Sequence, residues 1–140
     1  MNYKVKLISV QQAVDMVKSG DYIVTGLGAS TANAFFSHLH TAADRLRDVT
    51  ISTCLPLGDY PCFNDIQYRH AFLHDSWFYN PATRRAHKYG NTYFVPNCLH
   101  FAATKRLAYR KPTLYVGAAA MPDAHGNISL SCSNTYEMQM

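Results

Sequence analysis

Glutamate is nearly missing from this 140-residue chain: Glu137 is the sole one, and every other carboxylate is an aspartate. A zinc-protease helix carries a glutamate between its two histidines. His70 and His74 enclose only Ala71, Phe72 and Leu73, so that motif is excluded. His38 and His40 stand two apart and would diverge on a helix. No metal site is expected. Paired cysteines are missing too: Cys54, Cys62, Cys98 and Cys132 are widely spaced and form no C-x-x-C pair. That spacing speaks against zinc thiolates and a disulfide framework, and the four are expected to be small buried hydrophobes. No apolar run reaches the length of a membrane span. Met1 to Lys6 carries charge but meets Gln11 and Gln12 before any apolar h-region, so no secretory signal is read and a cytoplasmic location is expected.

Positive charge is modest, with a formal net charge of +4, and gathers in two clusters. Arg84, Arg85 and Lys88 form one; Lys105, Arg106, Arg110 and Lys111 form the other. Both fall on predicted helices, where such residues make a solvated face or favour the helix C-terminus. No nucleic-acid motif surrounds them, so no nucleic-acid partner is expected. The tyrosines and phenylalanines read as core faces or subunit contacts rather than a stacking platform for bases. A Ser-His-Asp constellation is recognised by geometry and cannot be asserted from composition.

What the chain does have is a glycine turn in a telling place. Asp21 to Thr25 is short, apolar and β-branched, as in a buried strand. Gly26-Leu27-Gly28-Ala29-Ser30 follows, and Thr31 to Leu46 then carries Phe35, Phe36, Leu39, Ala42, Ala43 and Leu46 at helical spacing. Strand, tight turn and helix start together present backbone N–H groups to an anionic or carbonyl ligand. Glycines also occur at such turns simply because the chain must bend. A G-x-G without its third glycine is a weak fingerprint.

Before this unit, Ser9 and Gln12 make a capping box for a helix lined by Val10, Ala13, Val14 and Val17 and closed by Gly20. Beyond it, Asp48 to Leu55 predicts a second strand, stopped by Pro56 and Gly58. Pro56 to Gln67 reads as a long loop. A strand is predicted through Asp75 to Tyr79, then a helix capped by Asn80 with Pro81 at its first position and Gly90 at its end. Thr92 to Val95 predicts a strand and Asn97 to Tyr109 a helix capped by Asn97. Thr113 to Ala118 is a near-continuous apolar strand, the pattern of one covered on both faces. A turn over Met121 to Gly126 leads to a last strand, Ile128 to Cys132. The alternation predicts one α/β domain over residues 1–140, with a mainly parallel sheet, helices on both faces and ligands at the strand C-termini. Asn134 to Met140 shows no cap and no charged tail, as in a domain cut before its successor.

Several of these segments, in this order and spacing, resemble the N-terminal domain of the acetyl-CoA hydrolase/transferase family, which includes 4-hydroxybutyrate CoA-transferase. They are Lys6-Leu7-Ile8-Ser9 with Ala13-Val14, Ser19-Gly20-Asp21, Gly26-Leu27-Gly28-Ala29 and Asn80-Pro81-Ala82-Thr83-Arg84-Arg85-Ala86. Most specific is Pro122-Asp123-Ala124-His125-Gly126-Asn127-Ile128-Ser129-Leu130, similar to the family's Pro-Asp-x-x-Gly-x-x-Ser-Leu stretch. The resemblance implies the fold shared by CoA transferases and certain sugar-phosphate isomerases. It further implies a two-domain enzyme in which a glutamate attacks an acyl-CoA thioester and passes through an anhydride to a glutamyl-CoA thioester. That glutamate belongs to the family's C-terminal domain, which these 140 residues lack; Glu137 does not fall at its position. Ser131 stands where relatives usually carry glycine. By the same resemblance the substrate-binding residues are Gly26, Leu27, Gly28 and Ala29, Leu55 and Pro56, and Met121 and Pro122, none of them catalytic. Coenzyme A is implied as substrate rather than as a tightly bound cofactor, and acyl-CoA and a small carboxylate as partners.

The expectation is therefore the N-terminal half of a CoA-transferase or acyl-CoA hydrolase, inactive alone. A non-catalytic ligand-binding or assembly domain of the same fold is the alternative. A sugar-phosphate-isomerase-like protein is a third reading, for which the sequence offers no dedicated base. A half-enzyme would expose the apolar surface meant for its second domain, so a homo-oligomer or a missing C-terminal domain is expected to cover it.

Overall fold

Ser9 caps the first helix as the sequence predicts. A computed structural model of the chain describes residues 7–130 and 134–139; the readings that fall on Met1 to Lys6, Ser131, Cys132 and Met140 lie outside them. The Ser9 hydroxyl accepts the Gln12 N–H at 3.1 Å, and the Gln12 side chain accepts the Ser9 N–H at 2.8 Å. This capping box opens α1, Val10–Asp15. Gly20, at φ +81°, turns the chain into β1, Tyr22–Thr25.

The other strands are β2 (Val49–Thr53), β3 (Phe72–Ser76), β4 (Thr92–Phe94) and β5 (Leu114–Val116). They form one parallel sheet in the order β4-β3-β2-β1-β5. On one face lie α1, α2 (Asn33–Leu39), α3 (Pro61–Asn64) and α4 (Pro81–Lys88). Val14, Val17, Phe36, Leu39, Ile23, Ile51, Phe63 and Phe72 form the main core there. On the other face α5, Thr104–Tyr109, and the segment before it cover a smaller cluster around Tyr22, Val24, Cys54, Trp77 and Tyr136. The fold is thus α/β with helices on both faces, unequally shared.

Several boundaries differ from the sequence reading. The glycine turn does not open a helix directly. A 3-10 turn, Gly28–Ser30, and an extended Thr31 bridged to Gly117 intervene before α2. The apolar face from Phe35 to Leu46 is buried as expected, but α2 ends at Leu39 and a 3-10 turn continues it. Pro56 to Gln67 is not all loop, since Pro61 starts the short α3. β3 lies three residues earlier than predicted, because Trp77 packs beneath the second face after the strand has ended. Asn97 caps nothing: a 3-10 turn at Leu99–Phe101 precedes α5, and its cap position is Cys98 without a side-chain bond. β5 is an edge strand of the described sheet and only half-buried, so its apolar run does not mean cover on both faces. Ile128 to Leu130 is not a strand; one bond, Ala120 N–H to the Ser129 carbonyl at 2.9 Å, joins it to the chain leaving β5. Cys54 and Cys62 are buried as expected, but Cys98 is exposed. No helix among the described residues is long and apolar enough to cross a membrane.

Candidate functional site

The C-terminal ends of β1 and β2 meet in a single hydrogen bond. The Gly28 N–H donates to the Cys54 carbonyl at 3.2 Å, drawing the Gly26–Ala29 turn against the chain that leaves β2. Gly28 lies at φ +55°, a region open to glycine. Leu55, the residue after Cys54, also lies there at φ +53°. A bulky side chain in that conformation is strained, and such strain is characteristic of ligand-handling loops. Leu55 is 38% exposed beside a buried Pro56.

Asn80 fixes this loop from the other side. Its Oδ1 accepts the Thr83 N–H at 2.7 Å and caps α4, while its Nδ2 donates to the carbonyls of Pro56 at 2.5 Å and Gly58 at 3.2 Å. The Asn80-Pro81 pair therefore starts a helix and holds a candidate substrate loop with one side chain.

Of the predicted substrate-binding residues, the structure brings together Gly26, Leu27, Gly28 and Ala29 with Leu55 and Pro56. Beyond β5 the Ala118 N–H donates to the Ser30 carbonyl at 2.9 Å, at the end of the glycine turn; Met121, three residues on, is 80% exposed, and no hydrogen bond among the described residues links it or Pro122 to the turn. The turn after them is built by Asp123, whose carboxylate accepts the N–H groups of His125 and Asn127 and the Asn127 side-chain amide. The Asn127 side chain above all holds its carboxyl below the usual range. The Pro-Asp-x-x-Gly stretch is a turn-making device in this structure, with Gly126 at φ +83°.

The glycine turn has fewer free donors than its sequence suggests. The N–H groups of Gly28, Ser30 and Thr31 are bonded to the carbonyls of Cys54, Leu27 and Gly28. Cys54 beside them is no nucleophile at neutral pH, since burial, reinforced by the Glu137 charge, pushes its thiol up to about 12. A cavity of about 460 Å³ opens on the outer side of the turn, lined by Ala29, Thr31, Phe35, Gly117 and the start of α1.

Two groups near the turn escaped sequence reasoning. Glu137 is buried, and its carboxylate packs on the first glycine: a Cβ on Gly26 would lie 2.8 Å from Glu137 Oε1. Its Oε2 accepts the N–H groups of Thr135 at 2.5 Å and Tyr136 at 2.8 Å, while Oε1 has no partner. The only sequence signal was the rarity of glutamate itself. Arg106, expected on a solvated face, turns inward instead. It bonds Tyr22 Oη at 2.6 Å, Asp75 Oδ1 at 2.6 Å and the Ser52 hydroxyl, and lies over the Trp77 ring. Together with Arg110 and Lys105 it borders a second cavity, about 440 Å³, on the α5 face. Arg84, Arg85 and Lys88 do remain exposed on α4.

Of the paired histidines, His74 sits in the core of β3 between Thr53 and Thr92, and His70 lies exposed outside it. Among the described residues no three His, Cys, Asp or Glu side chains come together as a metal site.

The profile of the Acetyl-CoA hydrolase/transferase N-terminal domain matches residues 1–138. No curated protein matches the chain. Among solved structures the chain is similar to RipA from Yersinia pestis, at 21% identity over 98% of this chain and 34% of that one, with a TM-score of 0.86. A point variant of RipA gives 20% identity over 98% and 33% of the two chains and a TM-score of 0.87. A variant of the decarboxylase AibA/AibB is more distant, at 15% identity over 74% of this chain and 43% of that one, with a TM-score of 0.52. At these identities the structural likeness is one of fold. The chain spans about a third of the length of RipA.

Proposed function

We propose, from the premise that this chain belongs to the acetyl-CoA hydrolase/transferase family as its N-terminal domain, that it forms one wall of an acyl-CoA pocket whose nucleophile lies outside these 140 residues. The observation that carries this reading is the Gly28–Cys54 bond, which joins the glycine turn and the Leu55-Pro56 loop at the strand C-termini, where open α/β sheets take their ligands. Acetyl-CoA or a similar short acyl-CoA, with a small carboxylate as acceptor, is the substrate pair.

The chemistry follows from covalent catalysis. A glutamate carboxylate of the second domain adds to the thioester carbonyl, and the CoA thiolate leaves an acyl-glutamyl anhydride. The thiolate then attacks the glutamyl carbonyl, releasing the first carboxylate and forming the glutamyl-CoA thioester. An acceptor carboxylate reverses these two steps, or water hydrolyses the thioester. Glu137 is not read as that nucleophile: it is 7% exposed and one of its oxygens is held by two backbone N–H groups.

The chain alone, given acetyl-CoA and a carboxylate, transfers no acyl group, whereas a longer protein carrying the second domain does. Robust transfer by the 140 residues would refute this division. A purely assembling or ligand-binding domain is the second reading, favoured by the exposed Tyr93 and Phe94 on the β4 edge. It predicts no transfer in the longer protein either.

A further inference from the structure

Arg106 on α5 and Arg110 at its C-cap stand four apart and so share one side of the helix. Like charges at that spacing weaken a helix. Both nonetheless gather at one ring: the Arg110 guanidinium carbon lies 4.2 Å and that of Arg106 5.6 Å from the centre of Tyr22. Lys105 adds a third cation, and all three line the cavity of about 440 Å³ on the α5 face. Asp75 is the one carboxylate in that lining, and Arg106 already holds it at 2.6 Å. The Lys105 and Arg110 charges have no carboxylate partner among the described residues.

Arg106 is fixed along one edge and free along the other. Its Nε donates to Tyr22 Oη at 2.6 Å, and its Nη2 donates to the Ser52 hydroxyl and to Asp75 Oδ1. The guanidinium also lies over the Trp77 ring, 4.5 Å from its centre. Its Nη1 donates to no acceptor among the described residues and is not one of the buried atoms left unpaired, so it reaches solvent. Arg110 makes one long bond, Nη1 to Thr50 Oγ1 at 3.4 Å, and the Lys105 ammonium rests over the Phe101 ring at 4.3 Å. Donors therefore remain on all three cations. A guanidinium already held in place gives up little freedom when it takes a ligand.

Two uncompensated charges suit a dianion, and guanidinium N–H groups match phosphate oxygens. A phosphate alone would leave most of the space empty, since cavities of about 300–1,000 Å³ take whole organic ligands. Tyr109, 91% exposed, belongs to the same lining and supplies an aromatic surface on which a flat ring can stack. We propose that this cavity binds a nucleoside phosphate, its phosphate taken by Arg106 Nη1, Arg110 and Lys105 and its base stacked on Tyr109. None of Gly26 to Ala29, Leu55 or Pro56 belongs to the lining, so the site is a second one and does not rest on the acyl-CoA reading. The nucleotide is either free or the end of a larger molecule such as coenzyme A, and the two sources share this chemistry.

The test titrates the 140-residue chain with AMP, followed by heat and by fluorescence of Trp77, its single tryptophan and the ring beneath Arg106. AMP binds saturably, and less tightly as salt is raised. Adenosine, which lacks the phosphate, and ribose phosphate, which lacks the base, each bind about tenfold or more weakly. Lys105→Gln and Arg110→Gln leave the Arg106–Asp75 pair in place, so both variants fold, and each weakens AMP about fivefold or more. Arg84→Gln removes the same charge from exposed α4 on the opposite face of the sheet and binds AMP like the parent. The site is refuted if AMP does not bind, if adenosine binds as well as AMP, or if Arg84→Gln loses as much as the two α5 variants. CoA that displaces AMP assigns the nucleotide to the end of a CoA molecule, and CoA that leaves AMP in place assigns it to a free nucleotide; both results uphold the cavity. Acyl transfer is measured separately, so failure here leaves the acyl-CoA reading standing.

Discussion

Acid should unfold this protein through His74. The imidazole is fully buried in β3, bonded to Thr53 Oγ1 at 2.8 Å and Thr92 Oγ1 at 3.0 Å, and stacked on Phe63 at 4.1 Å between centroids. No carboxylate is among these partners, and burial pulls the ring from an ordinary 6.5 down to about 3. Below pH 6.5 the unfolded chain takes up a proton that the native state refuses, so stability falls as pH drops, until about pH 3 is reached. Each pH unit in that window costs ~1.4 kcal/mol, so at about pH 4.5 the loss is roughly 2.7 kcal/mol. That is a large share of the 5–15 kcal/mol or so typical of a domain. Asp123 acts later: its folded carboxyl is depressed below 3.8, so its contribution is intact above that value and disappears only as pH falls further. Urea unfolding near neutral pH and near pH 4.5, read by Trp77 fluorescence, measures the difference. His74→Gln can keep both threonine contacts and cannot titrate, so its stability should lose most of this pH dependence whatever its own cost. Equal slopes for the parent and the variant would refute the reasoning.

Arg106→Met should destabilise the chain by ~3–5 kcal/mol in urea unfolding, because it strands the mostly buried Asp75 carboxylate. Adding Asp75→Leu should restore most of that loss; a single variant within about 1 kcal/mol of the parent would overturn this account. The exposed Leu73, Phe78, Tyr93 and Phe94 about the β4 edge should drive self-association of the 15.7 kDa chain in the absence of a covering domain. Sedimentation showing a clean monomer at high concentration would count against it.

What could be read along the chain was local chemistry. The Ser9–Gln12 box and the Asn80 cap are complete within four residues, so their sequence signals survive into the structure unchanged. β1, β2 and β4 followed from their apolar, β-branched character. β3 was displaced because Trp77-Phe78-Tyr79 looks like a strand, yet only Trp77 is buried and the ladder ends at Ser76. Cys98 and Arg106 exchanged their expected environments for the same reason: the second face of the sheet is thinly covered, and neither propensity nor periodicity says which residues will close it. The glycine turn was legible as a bend, but not its partners. Tyr136 reaches the Thr25 carbonyl across 111 residues of sequence and brings Glu137 with it, a contact that no local pattern encodes.

Asn80 has a consequence that reaches past helix capping. One planar amide divides its two ends between a helix start and the backbone of the Pro56–Gly58 loop, so the two share a single hinge pin. An aspartate there would go on seating the helix but could no longer grip the loop. The mouth of the candidate pocket can thus be slackened from beneath, with every residue that lines it left as it was.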